Sequence, residues 1–376
     1  MRSHVFTDAR LGRLAGRFVW LEMNGEEERN AEFLEQFPVD AWPTLFVVDP
    51  TSASVVVRWI GSTGAAQLER MLVDAERSSR APRDEATAAL ARADRLNGKG
   101  DAEAAEAAYR DALARGGRAW ARRPRAVESL VMLLSLSSSP ERCADTARSE
   151  APSLPRGPSF GNVVAMGLGC ALSMPEGAPA RTAALSAFEP LASEALQVPS
   201  LLADDRAGLF ELAASAATER GDEAGARAIA ERWWKFLEAE AARAPTPEAR
   251  AALDTSRLSA AVALGDPGRA LPALLASDRD LPRQLDSPYR LASVYRLMGR
   301  HAEALAANDR ALALTNGPRR LRVLQQRALI AEAAGDRGAA RRALEDALAF
   351  DAKLPAPQRN PRLAAELQQR LARLGP

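Results

Sequence analysis

Histidine and cysteine are nearly missing from the 376 residues: His4, His301, Cys143 and Cys170 are all there are. A His/Cys zinc site with four protein ligands would need all four of these distant residues to converge, so no metal site is expected. The two cysteines lie 27 positions apart in helical sequence, with no Cys-x-x-Cys pair anywhere, and are expected to be buried, idle thiols. No stretch reaches the roughly 18 uncharged apolar residues of a membrane-spanning helix. Met1 to Asp8 has no apolar leader segment, so the sequence reads as cytoplasmic, with no membrane partner. An excess of one charge is also lacking. Lys and Arg number 50 against 49 Asp and Glu, a net +1, which argues against a nucleic-acid partner. The phosphate-binding GxxxxGK[ST] and the hydrolase motifs HExxH and GxSxG do not occur, and no catalytic residue or cofactor site is assigned. Gly167-Leu168-Gly169 has no third glycine at a nucleotide-binding offset and reads as close helix packing.

Alanine supplies much of the 47% hydrophobic content, while aromatics are only 5%. With a mean hydropathy of −0.22, this composition predicts a mostly helical chain with thin, alanine-lined interfaces. The heavy bias of Arg over Lys fits a high-GC bacterial gene.

The organisation changes near residue 80. Before it, strand and helix periodicities alternate. Arg17 to Met23 predicts a strand and Glu26 to Phe37 a helix, with Phe33, Leu34 and Phe37 apolar. Thr44 to Val48 is a continuous apolar run that predicts a strand covered on both faces. Ser54 to Ile60 predicts its antiparallel neighbour, stopped by Gly61, and Ala65 to Ala75 a closing helix with Leu68, Met71 and Leu72 on one face.

This order, and the string Phe37-Pro38-Val39-Asp40-Ala41-Trp42-Pro43-Thr44-Leu45-Phe46-Val47-Val48-Asp49-Pro50, resemble the later two thirds of a thioredoxin-like domain. The resemblance implies a cis Trp42–Pro43 bond and a substrate-binding loop at Trp42, Pro43 and Thr44. It also implies that His4 to Leu14 is the remainder of the first core helix, with Val5, Leu11 and Leu14 turned inward. The departure is large: residues 1–78 hold no cysteine, and the strand and Cys-x-x-Cys that precede that helix in the family are missing. The expectation drawn from this is that Met1 is not the true start. The codons upstream should encode an apolar strand and a Trp-Cys-x-x-Cys-like segment.

From residue 84 onward, Gly-Asp or Gly-Arg turns recur between alanine-rich amphipathic stretches at Gly100, Gly221, Gly265, Gly299 and Gly335. The last four glycines are 44, 34 and 36 residues apart. Five positions after each stands an alanine: Ala105, Ala226, Ala270, Ala304 and Ala340. Twelve positions after stand Ala112, Trp233, Ser277, Ala311 and Ala347. This resembles the tetratricopeptide repeat, in which small residues let two helices of a hairpin cross closely. Residues 124–200 are less regular, broken by Gly157, Pro158, Pro175, Gly177 and Pro179, and a helix from Arg362 to about residue 373 predicts a polar cap.

Other candidates have structural readings. At least one of Trp233-Trp234 is read as core, the arginines of Arg122-Arg123-Pro124-Arg125 and Arg319-Arg320 as solvated turns, and Glu26-Glu27-Glu28 as a helix start. The Lys/Asn peptide clamp of some repeat proteins is not visible at the groove-side positions, which hold Leu90, Asp94, Glu211, Ser215, Thr255, Ser259, Tyr289 and Ser293. The expected architecture is thus an α/β thioredoxin-like domain over 1–80, lacking its first core strand, and an all-α repeat solenoid over 84–376. Two functions follow: thiol–disulfide exchange in a complete version of the protein, with repeats recruiting substrate, or a redox-inert scaffold for a protein or peptide partner.

Overall fold

The computed structural model describes residues 5–39, 41–61, 63–78, 84–137 and 139–375. His4 and Asp40, named above, lie outside them. In chain order the elements begin with α1 (Ala9–Gly12), α2 (Ala31–Gln36), β1 (Thr44–Val48), β2 (Val55–Ile60) and α3 (Ala65–Ser78). Then come α4 (Glu85–Gly98), α5 (Ala102–Gly116), α6 (Arg123–Ser135), α7 (Pro140–Glu150), α8 (Pro158–Leu172), α9 (Pro179–Ala195), α10 (Ala203–Glu219) and α11 (Glu223–Arg243). The series ends with α12 (Pro247–Ala251), α13 (Asp254–Ala263), α14 (Leu271–Asp280), α15 (Asp286–Leu297), α16 (His301–Ala313), α17 (Arg319–Ala333), α18 (Arg337–Lys353) and α19 (Pro361–Arg373). The chain divides into two compact units, one of residues 1–19 and 41–233, the other of 20–40 and 234–376.

The helical hairpins share one turn chemistry. At each of the five turn glycines φ lies between 72° and 78°, a conformation that costs a Cβ-bearing residue dearly. The next residue's N–H then reaches back five residues: Asp101 to Leu96 O, Asp222 to Ala217 O, Asp266 to Ala261 O, Arg300 to Tyr295 O and Asp336 to Ala331 O. These bonds satisfy carbonyls that a helix end leaves open. Three of the aspartates then cap the following helix, Asp101 accepting from Ala104 N, Asp222 from Gly225 N and Asp336 from Ala339 N. The small residues at the two repeat offsets are buried throughout, from Ala105, Ala304 and Ala340 at 0% exposure to Ala226 at 8%.

In the first unit, β1 and β2 form a two-stranded antiparallel sheet with Thr44 opposite Ile60 and an irregularity at Val47/Val48. Val57 and Trp59 of β2 pack with Leu68, Met71 and Leu72 of α3 and with Val5, Leu11 and Leu14. The end of α4 abuts the start of β2: a Cβ on Gly98 would lie 2.6 Å from Val55 Cγ1. Further along, Gly167 of α8 lets α7 and α9 close in, since a Cβ there would stand 2.4 Å from both Ala147 Cβ and Phe188 Cζ.

Five expectations need correction. Arg17 to Met23 is not a strand; Phe18 makes an isolated bridge to Ala15, and Val19 and Leu21 are 88% and 79% exposed. Apolar β-formers make a strand only where a neighbour completes the ladder, and among the described residues the sheet supplies none. For the same reason Thr44 to Val48 is half-buried along its length rather than covered on both faces. The helix expected over Glu26–Phe37 shrinks to a 3-10 turn at Glu28–Asn30 followed by α2. Glu26 does not start that helix. Its carboxylate instead accepts from Arg319 N at 2.9 Å, at the beginning of α17. The cysteines are not idle thiols: Cys143 of α7 and Cys170 of α8 are joined in a disulfide, their Cα atoms 6.0 Å apart.

The second unit is itself built of packed helical hairpins. Leu274, Leu291, Val294, Ala304 and Ile330 share one core, and Leu321, Leu344 and Leu367 another, closed by α19. Asn360 caps α19, accepting from Leu363 N at 3.0 Å. A buried amide pair ties three helices together. Asn308 donates to Val323 O and to Gln326 Oε1, and Gln326 donates to Tyr289 O and Ser293 Oγ. Residues 24–30 belong to this unit, where Gln358 Nε2 donates to Gly25 O and Glu27 O, both at 3.0 Å.

Candidate functional site

The residues singled out in the sequence lie at the start of the hairpin. Trp42 is 62% exposed, and the Trp42–Pro43 peptide is cis. Pro43 O accepts from Gly61 N at 2.8 Å, and Thr44 Oγ1 donates to Ala41 O at 2.6 Å. No cysteine stands with them, since both are bonded to each other between α7 and α8.

A better-formed site lies along a groove of the first unit. The helices that open successive hairpins, α4, α6, α8 and α10, turn one face each toward a cavity of about 280 Å3, and β2 closes one side. Asn97 comes from α4; Glu128, Ser129, Met132 and Leu133 from α6; Asn162, Ala165 and Met166 from α8; Asp204, Asp205, Gly208 and Leu212 from α10. Residues 58–61 line the sheet side, with Gly61 at φ 95°. Helical spacing explains the selection, because positions three and four apart on one helix share a face.

The polar side of the cavity centres on Glu128, which is 2% exposed. Asn162 Nδ2 donates to its Oε1 at 2.7 Å and Gln67 Nε2 to its Oε2 at 2.9 Å, with a further side-chain bond from Ser159. All three donors are neutral. Burial pushes the Glu128 carboxyl above its usual range, only partly opposed by these bonds and by the charge of Arg125. Asp205 is pushed up to about 7, first by burial and then by the charges of Glu128 and Asp204. Among the described residues no group of three His, Cys, Asp or Glu is placed to hold a metal ion.

A second buried charge of this unit, Asp94, is paired. Tyr109 donates to Asp94 Oδ1 at 2.9 Å and Arg125 to Asp94 Oδ2 at 2.7 Å. The arginines read as solvated turns are structural instead. Arg122 makes two bonds to Asp74, Arg123 pairs with Glu150, and Arg320 donates to Leu312 O. Trp233 is core at 1% exposure, while Trp234 is only partly buried, beneath the Arg269 guanidinium at 4.7 Å.

Glu128, Asn162 and Asp205 were not singled out from sequence. The available signal was Glu128 itself, an acid inside the apolar run Val127-Glu128-Ser129-Leu130-Val131. Such a residue needs a special environment.

Residues 284–353 match the family model described as tetratricopeptide repeat. No curated protein matches the chain. Among solved structures, a tetratricopeptide repeat protein from Parabacteroides merdae is 12% identical, with a TM-score of 0.49 over 76% of this chain and 98% of its own. An assembly chaperone of RpL4 (Acl4) is 16% identical, with a TM-score of 0.38 over 77% of this chain and 97% of its own. The APC/C hetero-tetramer Cut9–Hcn1 is 14% identical, with a TM-score of 0.34 over 84% of this chain and 61% of its own. No helix among the described residues is long and apolar enough to cross a membrane.

Proposed function

We propose that the chain is a protein-interaction scaffold, and that the groove over α4, α6, α8 and α10 holds a polypeptide segment of its partner. The observation that carries this is the groove itself. Four consecutive hairpins contribute side chains to one cavity, its lining combining the apolar Met132, Met166 and Leu212 with the polar Glu128, Asn162 and Asp205. The repeat match over 284–353 supports the same reading, since stacked hairpins of this kind present long binding faces. Trp42, Pro43 and Thr44 belong to the proposal as a further contact for extended partner backbone, on the strength of the exposed Trp42 ring. In the same proposal residues 84–376 form the repeat part, preceded by a smaller part over 1–80 whose sequence resembles a thioredoxin-like domain.

Thiol–disulfide exchange, the other function implied by the thioredoxin resemblance, has no nucleophile in this chain. Cys143 and Cys170 are bonded to each other, and both are at most 5% exposed. That bond also favours an oxidising compartment over the cytoplasmic reading of the sequence. The scaffold reading is tested by panning the protein against a random dodecapeptide display library. Defined peptides should be selected, and a Met166→Arg variant, which fills the groove, should fail to bind them. Equal binding by that variant overturns the assignment of the groove.

A further inference from the structure

We propose that this groove takes a lysine or arginine side chain of the partner segment, its cationic end among Glu128, Asp204 and Asp205 and its methylene stem against Met132, Met166 and Leu212. The inference rests on the groove being a polypeptide site and names what that site reads. The lining holds three carboxylates and one guanidinium, Arg58, which lies 6.0 Å over the Phe46 ring. Glu128 is buried yet bonded only by neutral side chains, and the nearby Arg125 is already engaged with Asp94 at 2.7 Å. Glu128 thus has neutral hydrogen-bond donors and only the shared charge of Arg125, and its buried carboxylate is further stabilised by a cation that reaches it. Asp204 and Asp205 of α10 add like charge, and burial beside Glu128 and Asp204 raises Asp205. An occupant with a positive end removes that repulsion, whereas an acidic one adds to it. Apolar walls beside a carboxylate end suit lysine and arginine, whose stems are apolar and whose tips are charged.

The test uses dodecapeptides selected from the random display library, synthesised with a fluorophore and titrated by anisotropy against the full chain. The expected result is a shared lysine or arginine whose replacement by norleucine weakens binding about tenfold, the scale of one partly buried charge pair. The Asp204→Asn/Asp205→Asn variant should lose the same factor toward the basic peptide and nothing toward the norleucine peptide, a coupling that general unfolding does not produce. Asp204→Asn alone, at an exposed position, should keep the fold by circular dichroism and give part of the loss. Selected peptides without a basic residue, or a basic peptide indifferent to both changes, overturn the inference. If those peptides are still blocked by Met166→Arg, the scaffold reading survives. If no peptide is selected, both readings fail.

Discussion

Replacing Asp205 by asparagine should stabilise the protein, and by an amount set by pH. In the folded chain this carboxyl is raised to about 7, against an ordinary value of 3.8. Between those values the folded state holds a proton that the unfolded state has released, so stability falls as pH rises from 3.8 to about 7 and is level above. At roughly 1.36 kcal/mol for each tenfold change in acidity, the full difference corresponds to about 4 kcal/mol. Water reaches part of the side chain, and the charges of Glu128 and Asp204 relax together with it, so about half of that, ~2 kcal/mol, is the working expectation. Asparagine mimics the protonated acid and removes the dependence. Urea denaturation followed by tryptophan fluorescence should show Asp205→Asn more stable than the parent at pH 8, with the advantage smaller at pH 5 by about 1–2 kcal/mol. An equal effect at both pH values, or a loss of stability at pH 8, would refute the account of a carboxylate held in the groove at a cost to folding.

Gly167→Ala should lower stability by about 1–3 kcal/mol in thermal or urea melts, because its Cβ would overlap Ala147 and the ring tip of the fully buried Phe188. Tyr109→Phe removes the hydroxyl bonded to buried Asp94 and should cost about 1–3 kcal/mol, with Arg125 left as the partner. Thiol titration of the unfolded protein without reductant should find no free cysteine; Cys143→Ser/Cys170→Ser should lose about 3.5 kcal/mol, the loop-closure value for a separation of 27 residues. Gly317→Ala would place a Cβ 2.2 Å from Glu26 O at φ 70°, and hydrogen exchange at residues 24–30 should speed up as that segment detaches from the turn before α17.

The repeat hairpins were legible because their signal is local. Glycine at positive φ followed by a capping aspartate is a short-range requirement, and alanine at two fixed offsets reflects how closely paired helices cross. β1, β2 and α3 were equally readable from periodicity, to within a few residues. Residues 17–23 misled because strand propensity describes a residue's fitness for a sheet, not the presence of a neighbour. Glu26 misled because three acids in a row signal a helix start, while the bond that decides its place comes from Arg319, 293 positions away. Spacing said nothing about Cys143 and Cys170 either. Their meeting depends on the crossing of α7 and α8, which Gly167 permits by accepting Ala147 so closely. The groove was the least legible part, since Glu128, Asn162 and Asp205 come from three helices and become a site only when the hairpins stack.

Where a partner segment lies distinguishes the groove from the rest of the surface. A photoreactive benzoylphenylalanine placed at position 166, on the groove side of α8, and in a separate variant at position 148, on the exposed side of α7, gives the most direct reading. With a selected peptide present, irradiation should yield a covalent adduct from position 166 and none above background from position 148. Adducts from position 148 with none from 166 would contradict the groove as the binding face.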